Sequence, residues 1–145
     1  MTAGRRVVFD TSSLVSAALR SSSSAERAVL LALRSGVICI APSSLRRLQA
    51  VLGNAGFNRF MAKRRRMAFV DLLGRIAWLC PDSQPEMPAA RRRSRERRTN
   101  ALLAFAASAE ADVVVSSDRA LLARKSLRRI PIFTPDEFIA RYDST

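Results

Sequence analysis

Two short apolar runs, far apart in the chain, each end close to an aspartate. The first is Val7–Phe9, followed by Asp10, and the second is Val113–Val115, followed after two serines by Asp118. Apolar runs of this length, bounded by small polar residues, predict buried strands. Ligands of open α/β sheets bind at the carboxyl ends of the strands, so Asp10 and Asp118 should converge if these strands are neighbours. Two converging carboxylates suit a hard cation such as Mg²⁺, whereas the simpler alternative is that each aspartate is a helix N-cap.

The rest of the chain predicts alternating strands and helices. We predict strands at 6–9, 37–40, 112–115 and 130–133, and helices at 13–19, 25–34, 42–52, within 57–73, at 97–109, from 118 and after 134. Ser24 and Ser43 are candidate N-caps, and Thr134 with Glu137 forms a candidate capping box. The segment 75–79 fits either a strand or the end of the preceding helix. This alternation predicts an α/β fold with a parallel sheet and helices on both faces, in one domain over 1–145. With 75–79 counted as the third strand, we expect the first strand at the centre, flanked by the second at 37–40 and the fourth at 112–115.

The composition restricts the cellular setting that we expect. No apolar run reaches the roughly 18 residues of a membrane span, and the first residues lack the layout of a signal peptide, which together predict a cytoplasmic protein with no membrane partner. Cys39 and Cys80 lie in apolar runs, where we expect buried small hydrophobic side chains rather than a disulfide. Two cysteines and no histidine exclude a Cys/His zinc site.

The formal net charge of +13 comes almost entirely from arginine. An excess of this size attracts polyanions, and nucleic acid is the expected partner. The alternatives are an arginine-rich composition without a ligand, or an acidic protein partner. The basic residues cluster at 63–66 and 91–98, which favours a ligand. Aromatic residues make up only 6% of the chain and mostly follow core patterns, so stacking on bases is not predicted.

Four segments are familiar in their order and spacing. They are Val8-Phe9-Asp10-Thr11-Ser12-Ser13-Leu14-Val15, Ala41-Pro42-Ser43, the stretch 111–122 around Ser116-Ser117-Asp118, and Phe133-Thr134-Pro135-Asp136-Glu137-Phe138. Together they resemble the PIN-domain family, in the branch of toxin components of toxin–antitoxin systems. The resemblance implies a three-layer α/β/α fold with a central parallel sheet. It also implies an endoribonuclease that uses Mg²⁺ or Mn²⁺, held by acidic residues, to activate water and stabilise charge on the scissile phosphate.

The resemblance carries over only part of the acidic site. Asp10 and Asp118 match the first and last acids of the family, but Asn100 stands where the family has an aspartate. Asn100 retains an amide oxygen able to ligate a metal. Glu96, one helical turn earlier, aligns with an outer acid. The predicted catalytic residues are therefore Asp10, Asp118 and Asn100, and the predicted metal ligands are Asp10, Asp118 and Glu96.

Basic and hydroxyl side chains complete the predicted site. Arg47 replaces a glutamate of the family, and we hypothesise that it pairs with Asp10 and Asp118 and partly takes the place of the metal; the alternative is that it points outward to solvent or phosphate. Ser12 replaces an asparagine. Arginines before Asn100 should line the rim of the pocket, where phosphate contacts are independent of sequence and sensitive to salt. The predicted nucleic-acid contacts are Ser12, Arg47, Arg91, Arg92, Arg93, Arg95, Arg97 and Arg98.

Three functions remain open from the sequence. The first is an active metal-dependent ribonuclease with a weakened site. The second is a PIN fold that has lost its chemistry and keeps a nucleic-acid-binding surface. The third is a protein-interaction module held by an acidic antitoxin. A homodimer is compatible with each of them.

Overall fold

A central sheet is built around the first predicted strand. The computed structural model describes residues 4–82, 94–124, 126–127 and 129–143, with 94–98 and 127 described by their backbone alone. The strands in this part of the chain are β1 (Arg5–Phe9), β2 (Gly36–Ile40), β3 (Trp78–Leu79), β4 (Val113–Val115), β5 (Ser126–Leu127) and β6 (Ile130–Phe133). Their order is β3-β2-β1-β4-β6-β5. In this order the neighbouring strands from β3 to β6 are parallel, and β5 pairs with β6 in the antiparallel direction. β1 lies between β2 and β4, as predicted.

Helices cover both faces of this sheet, which confirms the three-layer α/β/α fold. They are α1 (Thr11–Leu19), α2 (Ser24–Ser35), α3 (Pro42–Leu52), α4 (Lys63–Ile76), α5 (Ser94–Ser108), α6 (Arg119–Leu122) and α7 (Pro135–Tyr142), with a 3₁₀ turn at Ala55–Phe57. Alternate residues of β1 point to opposite faces. Val7 and Phe9 pack with α1 to α4 and α7, whereas Val8 packs with α5 and α6.

Local signals in the sequence located most helix ends to within a few residues. The capping box of Thr134 and Glu137 is present at the start of α7. Two predicted caps are wrong: Ser23, not Ser24, caps α2, and Ser43 lies inside α3, because Pro42 takes the first helical position and Ala41 precedes it. The segment 75–79 contains both the end of α4 and β3. The short strand β5 was not predicted, since two residues carry no detectable period.

The two cysteines are free thiols. Cys39 is 2% exposed, and Cys80 packs against the same apolar cluster. Burial, and then the neighbouring Cys80, raise the pKa of the Cys39 thiol from 9.0 to about 12. Cys39 is therefore a neutral core residue near neutral pH. Within the described ranges, none of the helices has the length and apolar character required to cross a bilayer.

Candidate active site

The pairing of β1 with β4 brings the two predicted aspartates to the same edge of the sheet. Phe9 is in register with Val115, and the amide of Asp10 donates to the carbonyl of Val115 at 3.2 Å. The next residue of each strand is Asp10 on one side and Ser116 on the other. Ser116, not Asp118, is therefore the direct neighbour of Asp10 across the sheet edge.

Asp10 is 8% exposed, and its two carboxylate oxygens accept from different kinds of donor. Oδ1 accepts from the backbone amide of Ser13 at 2.9 Å, which caps α1. Oδ2 accepts from the hydroxyls of Ser12, at 3.2 Å, and of Ser116. All of these donors are neutral. Because they satisfy the buried carboxylate without an opposite charge, they hold Oδ2 at the sheet edge in one orientation.

Ser116 connects the two aspartates. Its hydroxyl donates to Asp10 Oδ2 and accepts from the backbone amide of Asp118 at 2.9 Å, and its side chain is completely buried. Asp118 Oδ1 accepts from the amide of Ala120 at 2.8 Å and caps α6. Asp118 Oδ2 accepts no hydrogen bond from the described residues. Both aspartates are thus helix N-caps, as the simpler alternative proposed, and each uses only Oδ1 to accept from a backbone amide of its helix.

A cavity of about 350 Å³ lies in front of this edge. It is lined by Ser12, Ser117, Asp118, Arg119 and Ala120. Asp10 lies behind Ser12 and does not line the cavity. Asp118 is half-buried and Arg119 is exposed. The cavity therefore offers one carboxylate, one guanidinium and two hydroxyls to a ligand, and the buried Asp10 is positioned just beneath them.

Two predicted site residues occupy positions that change the expected chemistry. Asn100 is half-buried on α5, and its Oδ1 accepts from Arg124 Nη2 at 3.5 Å. Arg47 is exposed on α3. The hypothesis that Arg47 pairs with the two aspartates is wrong, because no ion pair joins Arg47 to Asp10 or Asp118, all three of which the structure describes. The outward orientation of Arg47 leaves its predicted phosphate contact as a prediction.

The other predicted residues lie at the limit of what the structure describes. Glu96, Arg95, Arg97 and Arg98 fall in α5, but their side chains are outside the described part. Arg91, Arg92 and Arg93 lie outside the described residues altogether. The role of Glu96 as a metal ligand stays a prediction. The roles of these arginines as nucleic-acid contacts also stay predictions.

The donor set at this edge fits a divalent cation that is shared with a ligand. In the described part of the chain no three acidic, cysteine or histidine side chains gather to hold a metal. Mg²⁺, however, commonly keeps several waters and binds through one or two carboxylates plus substrate phosphates. Asp10 Oδ2 and Asp118 Oδ2 are hard oxygen donors that accept no hydrogen bond from the backbone amides of the helices that the two residues cap. They fit such an ion, and a phosphate group is needed to complete the set.

Ser116 is the site residue that sequence reasoning did not single out. Its serine type suggested only a turn. The signal that could have found it is register: Ser116 follows the last residue of β4, as Asp10 follows the last residue of β1. In paired parallel strands, residues at equal positions after the last pair lie side by side.

The family model described as PIN domain matches residues 6–120, which include both aspartates and Ser116. No curated protein matches the chain.

Proposed function

Since this match covers well over half of its length, the chain belongs to the PIN-domain family, whose members are generally nucleases that typically use divalent metal ions. On this premise we propose that the protein is an endoribonuclease that uses Mg²⁺ or Mn²⁺, with a weakened metal site. The observation that carries the proposal is the link from Asp10 through Ser116 to Asp118. It runs from the carboxylate of Asp10, just after β1, to the backbone amide of Asp118, which follows β4, at the edge of the sheet where the cavity lies.

In the proposed reaction the residues of the site would have three roles: binding the metal ion, orienting a carboxylate and binding phosphate. Asp10 Oδ2 and Asp118 Oδ2 would hold the ion, which when bound would lower the pKa of a coordinated water and stabilise negative charge on the phosphate. Ser12 and Ser116 keep Asp10 Oδ2 in position by donating to it. Arg119 lines the cavity and provides a cation for a phosphate oxygen that enters it.

This site has fewer carboxylates than the acidic site that the family resemblance implies, and this difference predicts its metal affinity. With two carboxylates, the free protein should bind Mg²⁺ or Mn²⁺ weakly, and RNA should raise metal affinity by supplying phosphate ligands. Cleavage should therefore depend steeply on metal concentration.

The experiment is a cleavage time course on structured and single-stranded RNA with Mg²⁺, with Mn²⁺ and with a chelator. Asp10→Asn and Asp118→Asn should abolish metal-dependent cleavage. Asparagine is as good an N-cap as aspartate, so both variants should stay folded. Glu110→Gln is the matched control, because it removes a carboxylate at the opposite edge of the sheet, just before β4. Cleavage that survives both chelator and the two aspartate variants would reject the proposal.

A second candidate function is RNA binding without chemistry. It is favoured by the contact between Asn100 and Arg124, which places a neutral side chain and a cation where the family resemblance expects an acid. On this alternative the protein binds RNA equally well with and without chelator and does not cleave it. Asn100→Asp then discriminates: if only the missing acid prevents catalysis, this substitution should create cleavage that requires Mn²⁺.

We further propose a role as the toxin of a toxin–antitoxin pair, with an acidic antitoxin as protein partner. The net charge of +13 and the resemblance of the four segments support it. Expression of the protein should arrest growth of a host cell, and expression of Asp10→Asn should not. Equal growth with both forms would contradict the toxin role without bearing on RNA binding.

A further inference from the structure

A second basic surface lies outside the carboxylate site, on the loop between α3 and α4 and on the first turn of α4. We define the basic–aromatic surface as Arg59, Phe60, Lys63, Arg64 and Arg65, all of which are exposed. Phe60 is 65% exposed, the highest value among the large apolar residues of the described part. A phenylalanine left this open keeps apolar surface in contact with water, and its ring is accessible to a ligand.

The loop that carries Phe60 is held in place from beneath. Arg66 is completely buried, and its guanidinium donates to the carbonyls of Leu52, Asn54 and Met61 and to the side chain of Asn58. These acceptors span the whole loop. Phe57 is half-buried beside Arg66, whereas Phe60, one turn later, faces outward. The loop is therefore a fixed support that presents one ring to solvent.

The charged residues in the chain segment that carries this ring are all basic. No aspartate or glutamate occurs between Glu26 and Asp71 in the sequence, and the cations of the basic–aromatic surface form no ion pair with any described residue. Three of them occupy the first turn of α4, where positive charge opposes the helix macrodipole. Helix stability therefore does not explain their placement, and a polyanion would.

We propose that the basic–aromatic surface binds single-stranded nucleic acid, with the ring of Phe60 stacked on a base and the flanking cations on phosphates. An aromatic platform within a positive field is the usual construction for single strands, because every unpaired base offers a π-face. In a duplex the bases are already stacked on one another, so no base face is available to stack on the ring of Phe60. The inference rests on the proposed function in taking nucleic acid as the ligand.

The surface is separate from the carboxylate site along the chain and in space. α3 begins directly after β2, at the edge of the sheet that carries Asp10, and runs for 11 residues before the loop starts. At 1.5 Å per residue this helix is about 16 Å long. One strand of several nucleotides could therefore occupy both places, and a dinucleotide could not.

The test is a binding titration by fluorescence anisotropy with a labelled single-stranded 20-nucleotide RNA and with a duplex of equal length, in chelator so that nothing is cleaved. Phe60→Ala should weaken single-strand binding by about 5- to 150-fold, the range of one base–aromatic stack. Duplex binding should change less than twofold. Phe60→Leu should weaken binding as much as alanine, because leucine has no π-face. Leu72→Ala, at another exposed apolar residue that lies on α4, is the matched control and should have no effect.

The cations are tested by the salt dependence. Arg64→Gln and Arg65→Gln should each weaken single-strand binding and reduce the slope of log affinity against log salt by about 0.7. Arg34→Gln, exposed on α2, should do neither. Unchanged binding in Phe60→Ala, or full rescue by leucine, would overturn the proposal and indicate an apolar or acidic protein partner instead.

The outcomes separate this inference from the proposed function. If the wild-type protein cleaves RNA but Phe60→Ala binds RNA as tightly as wild type, the binding role of the basic–aromatic surface is rejected and the proposed nuclease function is not. Binding that depends on Phe60 without any cleavage rejects the nuclease and supports the surface. A protein that binds no RNA rejects both.

Discussion

Asp10 and Arg66 are both buried charged side chains, yet they serve different parts of the molecule. Asp10 is 8% exposed and Arg66 is not exposed at all. Neither has an opposite charge beside it in the described ranges. Each is satisfied by neutral partners: Asp10 accepts from two hydroxyls and an amide, and Arg66 donates to three carbonyls and an amide oxygen.

The difference lies in where the partners come from. Those of Arg66 lie 5 to 14 residues away in sequence, so this residue fixes one local loop. The key partner of Asp10 is Ser116, 106 residues away, so this carboxylate joins two strands at the edge that carries the cavity. A buried charge with local partners stabilises the fold, whereas one with distant partners at a sheet edge builds a site.

The largest expected effect on stability belongs to Arg66. Arg66→Met should lower the free energy of unfolding by about 3 kcal/mol, because buried carbonyls left without a donor cost about 1–3 kcal/mol each and only some can reach water. Urea denaturation measures it. Arg65→Met, its exposed neighbour, should stay within about 0.5 kcal/mol of wild type. Equal midpoints for the two variants would contradict the structural role of Arg66.

Ser116 is the distant partner of Asp10, so its removal should affect the metal site as well as the fold. Ser116→Ala should reduce metal-dependent cleavage, or Mn²⁺ affinity in the presence of RNA, by about 10- to 100-fold, the usual effect of losing a group that orients a metal ligand. Its cost in stability should be about 1.5–3 kcal/mol, the range for a hydrogen bond to a charged group. Ser117→Ala, which alters the neighbouring serine of the cavity, is the control and should have a smaller effect on metal. The reverse order would mean that Ser116 is merely structural.

The smallest expected effect is that of Cys39 on the pH dependence of the free energy of unfolding, and it is absent at neutral pH. Its pKa is raised to about 12 by burial and by Cys80, so the folded protein keeps a proton that the unfolded chain releases near pH 9. The stability from this group is complete below pH 9 and is lost as the pH rises towards 12. Cys39→Ala should therefore show a shallower fall in the free energy of unfolding between pH 9 and 11 than Cys80→Ala. Parallel curves for the two variants would contradict the assignment.

Much of the fold was predictable because its signals are local. The valine-rich runs predicted β1 and β4, and Thr134 with Glu137 predicted the start of α7, since strand periodicity and helix capping depend on residues a few positions apart. The same reasoning could not distinguish Arg66 from the three basic residues before it. Burial of one member of a basic cluster depends on which face of α4 meets α3.

From the order of residues alone we could predict that two aspartates follow two buried strands, that helices alternate with the strands, and that the chain carries a large positive charge. We could not predict that Ser116 connects Asp10 to Asp118, that Arg47 is exposed, or that Phe60 is exposed among basic residues. These features depend on the register between strands and on the exposure of side chains, which arise from contacts between distant segments. Such contacts leave no mark in the local pattern of residues.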